Sequence, residues 1–157
     1  ALAAGLPGCG WQLRGHVPAA ESTALEGVRV HVDAPGDLRP GLVDTVRARG
    51  ATLVGDPGAA DLSIRVGDPR LERRVLSVDP ATGRVREYEL AYSLGYSAYR
   101  GDGAVAVAPQ RVSLRRDYVF DENAVLGAGR EEQVLVEEMR REALQQALRR
   151  LAAALSG

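Results

Sequence analysis

The sequence predicts an α+β fold: a four-stranded mixed β-sheet in the order β-α-β-β-β-α, with two helices packed on one face. Three observations lead there. Four stretches alternate apolar and polar residues with period two, two stretches repeat their apolar residues at helical spacing, and the last three alternating stretches follow one another with no helix between them.

Val28, Val30 and Val32 alternate with Arg29 and His31, the pattern of a half-buried strand. After Ala34-Pro35-Gly36, Asp37 is placed to cap a helix, and Pro40 is tolerated in its first turn. Leu38, Leu42, Val43 and Val46 then make an apolar stripe that stops at Gly50. Ala51 to Val54 is a short extended piece, and Gly55-Asp56-Pro57-Gly58 is a loop. Leu62, Ile64 and Val66 open a long second strand; a bulge or kink is expected at Gly67-Asp68-Pro69, beyond which the strand resumes to Val78.

Asp79-Pro80-Ala81-Thr82-Gly83 supplies the turn of a hairpin, and the return strand runs from Arg84 to about Arg100. One of its faces carries Tyr88, Leu90, Tyr92, Leu94 and Tyr96; the other carries Glu87, Glu89, Ser93, Gly95 and Ser97. Residues from Gly101 to Pro109 are expected to be a small-residue loop, and Val112, Leu114, Tyr118 and Phe120 mark a fourth strand. From Arg130 the period becomes helical, with Val136, Met139, Ala143, Ala147 and Leu151 on one side. Glu131 and Glu132 fall in the first turn and Arg149 and Arg150 near the end, an order that suits the helix dipole. Strands 62–78 and 84–100 are long, so the hairpin tip is expected to project beyond the helices.

The 157 residues suit one domain, taken as 27–157, a single α/β sandwich. Residues 1–8, ALAAGLPG, are small, apolar and uncharged, like the end of a secretory leader, and 9–26 form a tether. No apolar run approaches the roughly 20 residues of a membrane-spanning helix. The formal net charge of -1 gives no bulk electrostatic case for nucleic acid. All 20 basic residues are Arg, a compositional bias, so an Arg counts as a candidate only where its position argues for it.

Enzymatic chemistry finds little support. His16 lies in the tether and His31 on the polar side of a strand, and pairing Cys9 with His16 requires a rigid pocket around a segment with no period. One Cys and two scattered His offer no metal-ligand spacing, and Gly101-x-Gly103 has no following helix to cradle a phosphate. No catalytic residue and no metal is therefore expected. A lone cysteine cannot form an internal disulfide, which leaves burial or attachment for Cys9; the apolar run before it favours attachment. Two surfaces remain as binding candidates. Tyr88, Tyr92 and Tyr96 share one strand face, where sheet core is the simpler reading. Antiparallel pairing around the hairpin turn can bring together some of Arg73, Arg74, Arg84 and Arg86, which suits either a phosphate-bearing ligand or an edge protected by charge against aggregation.

Several stretches together resemble the LPS-assembly lipoprotein family, LptE: CGWQLRG at the start, the hairpin ending GRVREYELAYSLGYSAY, and RVSLRRDYVFDENAVLGAGREEQVLVEEMRREALQQALRRL. The family's fold agrees with the element order above. The resemblance implies cleavage before Cys9 and acylation on it, with Leu6, Pro7 and Gly8 standing as the lipobox. Several acyl chains on one residue make a firm anchor. Gly10 after the cysteine implies an outer-membrane address, on the periplasmic side. Members plug the lumen of the barrel protein LptD, in a 1:1 complex, and bind lipopolysaccharide, with no cofactor besides the covalent lipid. Basic residues near the hairpin tip and before the last helix serve the ligand in the family. Here Ala81 and Gly129 stand in those columns, so the neighbouring Arg84, Arg86 and Arg130, with Arg73, are the candidates. The competing expectation is a free-standing periplasmic lipoprotein that binds another anionic lipid or ligand.

Overall fold

A computed structural model describes residues 25–120 and 125–156. Its elements are β1 (Arg29–Asp33), α1 (Arg39–Ala48), β2 (Thr52–Leu53), β3 (Leu62–Val78), β4 (Val85–Arg100), β5 (Val105–Val119) and α2 (Val125–Ser156). They build one mixed sheet in the order β2-β1-β3-β4-β5, in which β1 is parallel to β2 and β3 while β3, β4 and β5 are antiparallel neighbours.

The sheet has five strands, not the expected four. The added strand, β2, is only two residues long and shows no alternation of its own; it is a strand because it docks on β1. Thr52 N–H donates to the Val28 carbonyl at 2.9 Å and Val54 N–H to that of Val30 at 3.0 Å. Three boundaries also move. β5 starts at Val105, inside the expected loop, after a tight turn in which Arg100 N–H donates to Ala104 O at 2.8 Å; a register shift opposite Tyr96 and Ala98 absorbs Pro109. Helix α1 begins without a side-chain cap at Leu38, and Asp37 instead lies 3.5 Å from Arg140 in an ion pair. Helix α2 begins at Val125, so Glu131 and Glu132 fall beyond its first turn, and its last turn holds no basic residue.

The long hairpin follows its alternation. Leu90, Tyr92, Leu94, Tyr96 and Ala98 of β4 are buried, and the register of β3 against β4 shifts between Gly67 and Arg70 at the expected bulge. Leu42 and Val46 of α1 and Met139, Ala143, Ala147, Leu148 and Leu151 of α2 join these side chains, and Val30, Val32 and Ile64, in one core on a single face of the sheet. The opposite face carries no helix among the described residues.

β1 pairs with β3 only through Leu62–Arg65. Beyond that point β3, β4 and β5 continue as a three-stranded ribbon, with α2, about 48 Å long at 1.5 Å per residue, lying along one side. At the far end the helix leaves β3 uncovered: Leu71 and Val75, on the helix side, are 46% and 52% exposed.

Candidate functional site

The site is built at the free end of the ribbon, where a turn fixes the spacing of its charges. Gly83 takes a positive φ of 71° and donates its N–H to Asp79 O at 2.8 Å, while Asp79 N–H donates to Arg84 O at 2.7 Å. The Asp79 carboxylate accepts from Ala81 N–H at 2.9 Å and Thr82 N–H at 3.0 Å, and its other oxygen accepts from Arg86. The two backbone donors, with Arg86 added, hold the Asp79 carboxyl below the usual carboxylate range. Arg86 is thus oriented along the strand by the turn itself.

Arg84 sits beside the turn, its N–H 3.4 Å from Thr82 Oγ1. Arg73 lies on the helix side of β3, its guanidinium 4.8 Å from the centre of the Tyr88 ring and 3.1 Å from Glu132 Oε2. That same Glu132 oxygen accepts the Tyr118 hydroxyl at 2.5 Å. Tyr88 stacks on Tyr118 at 5.7 Å and meets Phe120 edge-on at 5.4 Å, so an aromatic wall stands beneath Arg73. Arg130, two residues before Glu132 on α2, is exposed and borders a shallow groove of about 410 Å³ with Val134 and Arg141. The fold therefore gathers Arg84 and Arg86 at the turn, and ties Arg73 to α2 through Glu132, beyond the first turn of that helix. Cys9 lies outside the described residues, as does His16; His31 places Nδ1 3.4 Å from the Val54 carbonyl oxygen at the β1–β2 edge.

Two features of this end were not read from the sequence. A depression of about 550 Å³ is lined by Ser77, Val78, Arg86, Glu87, Val119 and Phe120. Val78 and Val119, in its lining with Arg86, are 50% and 67% exposed, and Leu76, two residues before Val78, is 51% exposed. The alternation of β3 slips by one at Val75-Leu76, where the register against β4 shifts again, and that adjacent apolar pair is the only trace in the sequence. The second feature is Glu89, on the bare face, which takes Arg74 as a partner and has Arg115 at 3.9 Å; Arg74 holds its carboxyl below the usual range. Chemically, the end of the ribbon offers an apolar surface flanked by oriented guanidiniums, an arrangement suited to a ligand with both acyl and phosphate groups. Among the described residues no group of three His, Cys, Asp or Glu side chains could hold a metal ion.

Comparison with known proteins adds to this geometry. A family model described as LptE, lipopolysaccharide-assembly, matches residues 17–151. The solution structure of an uncharacterized lipoprotein B from Nitrosomonas europaea is similar with a TM-score of 0.75 at 28% identity, covering 94% of each chain. The crystal structure of rare lipoprotein B from Shewanella oneidensis gives a TM-score of 0.70, also at 28% identity, over 80% of this chain and 94% of that one. A minor lipoprotein from Acinetobacter baumannii shares the fold, with a TM-score of 0.65 at 22% identity over 82% of this chain and 93% of that one. Among curated proteins, no sequence matches the chain.

Proposed function

Since the chain belongs to the LptE lipopolysaccharide-assembly family, we propose that it is an outer-membrane lipoprotein, anchored through acyl groups on Cys9, that plugs the LptD barrel and binds lipopolysaccharide during its insertion. The observation that carries the reading is the end of the ribbon, where exposed Val78 and Val119 line one depression with Arg86, which the turn orients. Lipopolysaccharide combines acyl chains with phosphates, and a guanidinium fork matches phosphate oxygens while the apolar side chains take up hydrocarbon. The plug role is supported by the rest of the exterior. Its bare sheet face carries Arg, Glu and Ser side chains, suited to the polar lumen of a large outer-membrane barrel. Binding and positioning, not bond-breaking, is the work these residues perform.

The test has two arms. Co-expression with LptD followed by purification through the barrel is expected to retain the chain in equal amounts; purification without it overturns the plug reading. In the second arm the double variant Arg84→Gln/Arg86→Gln is expected to bind lipopolysaccharide at least tenfold more weakly, with the fold checked by its melting because Arg86 pairs with Asp79. Undiminished binding removes the ribbon end from the ligand site.

A further inference from the structure

We propose that the bare face of the sheet carries a second, saccharide-binding site, a trough floored by Gly67, Gly95 and Ser97. Gly67 and Gly95 are directly opposed across β3 and β4, just past the last pairing of β1 with β3. Neither has a positive φ. A Cβ on Gly67 meets nothing within 4 Å, and one on Gly95 meets only ordinary contacts, the nearest at 3.5 Å to the Gly67 carbonyl oxygen. Gly67 opens the bulge of β3, while at Gly95 neither φ nor a close contact excludes a Cβ, although glycine weakens a strand. Its presence leaves flat backbone where another molecule can approach closely.

Next to this floor stands Ser97, 5% exposed and the single buried polar residue among those described. Its cross-strand partner is Arg65, and it lines the same trough, of about 370 Å³. Its hydroxyl makes no hydrogen bond within the described residues and is not sealed from solvent as the unpaired Tyr92 hydroxyl is, so it opens onto the trough. A hydroxyl so placed is available to a ligand lying on the two glycines.

The walls decide what that ligand is. Arg65 donates from Nε to Asp33 at 2.8 Å and lies 5.7 Å from the centre of the Tyr99 ring. Arg111 donates to the Asp68 carbonyl oxygen at 3.1 Å and to Ser93 Oγ at 3.2 Å, with the Asp68 carboxylate 3.5 Å away. Both guanidiniums thus already face a carboxylate, so the trough offers fixed donors and acceptors with little uncompensated positive charge. That suits a neutral polyhydroxylated ring, whose hydroxyls both donate and accept, better than a phosphate. The ligand assigned is a pyranose ring of the lipopolysaccharide saccharide. This rests on the lipopolysaccharide reading above but uses a different face from the ribbon end.

The probes are delipidated lipopolysaccharide, which is the saccharide alone, and intact lipopolysaccharide, each added to the full chain and followed by amide chemical shifts. The saccharide is expected to move the amides of Gly67, Gly95 and Ser97. Gly95→Val and Gly67→Val, whose Cβ meets no atom closer than 3.5 Å, are each expected to weaken saccharide binding at least tenfold. Two variants with unaltered melting guard against misfolding of one. Saccharide shifts that avoid the trough, or affinity undiminished in both valine variants, overturn the proposal. If the saccharide binds in the trough while intact lipopolysaccharide does not bind the parent chain, the trough stands and the lipopolysaccharide reading falls.

Discussion

Tyr118, Glu132 and Arg73 show how one carboxylate can serve two partners at the edge of the core. The Glu132 oxygen accepts the Tyr118 hydroxyl and pairs with Arg73. Burial, and after it the hydrogen bond to Glu132, pushes the Tyr118 hydroxyl up to about 12. A raised value means that the folded protein holds this proton more tightly than the unfolded chain does. The associated stability is present in full below the ordinary tyrosine value of about 10 and is lost as pH rises from there through about 12. Spectrophotometric titration of Glu132→Gln is accordingly expected to shift the highest tyrosine transition downward, and Tyr118→Phe to remove the alkaline loss of stability that this group causes. A titration curve unchanged in Glu132→Gln shows that burial alone sets the Tyr118 value. None of this coupling is visible in the sequence, where Tyr118 and Glu132 are simply a strand apolar position and a helix charge.

Among the elements, legibility followed the source of each one's stability. The β3–β4 hairpin announces itself because its side chains alternate over many residues and its turn holds Asp79, Pro80 and Gly83. β2 was legible only as a short extended piece over Ala51 to Val54, because two residues carry no period, and its place in the sheet comes from β1. Leu38, the start of α1, was obscured by Asp37, a good capping residue whose carboxylate is drawn to Arg140 on α2 instead. Gly101 was legible only as a turn residue, yet its constraint is tertiary: a Cβ there would lie 2.5 Å from the Ala60 carbonyl oxygen. Gly101 N–H also donates to Asp61 O at 3.0 Å, so the β4–β5 turn is pressed against the entry to β3. Gly101→Ala must move backbone against backbone and is expected to cost about 1–3 kcal/mol in urea unfolding. Gly103→Ala, whose penalty is conformational because φ is 85° in open space, serves as the comparison. Equal stability of Gly101→Ala and the parent refutes the close approach.

Across the whole molecule, the candidate site was half legible. Arg84 and Arg86 flank a recognisable turn, so their proximity follows from antiparallel pairing. The exposure of Leu76, Val78 and Val119 does not, because it depends on β1 ending its pairing at Arg65 and on the path of α2, neither of which a local pattern encodes. The same extended shape distributes charge pairs along the sheet rather than at one place. Arg29 with Asp61 closes the start of β1 against the entry to β3, Arg74 with Glu89 ties β3 to β4 midway, and Arg86 with Asp79 closes the tip. All three carboxyls lie below their ordinary values: Asp61 and Glu89 mainly through the hydrogen bond from their Arg, Asp79 mainly through the turn amides. A depressed carboxyl contributes stability that is present above its unfolded value, about 4, and lost as pH falls through its folded one. The arginine of each pair is more than half exposed, so salt is expected to screen the ion-pair part of the effect. The triple variant Asp61→Asn/Asp79→Asn/Glu89→Gln is therefore expected to melt below the parent at pH 7, with a gap that narrows in high salt and closes on acidification below the carboxylate range. A gap of constant size down to low pH would mean that the substitutions act through altered turn and strand geometry, not through charge. The sites lie on separate stretches of the sheet, so the three single variants are expected to sum to the triple if each pair acts alone.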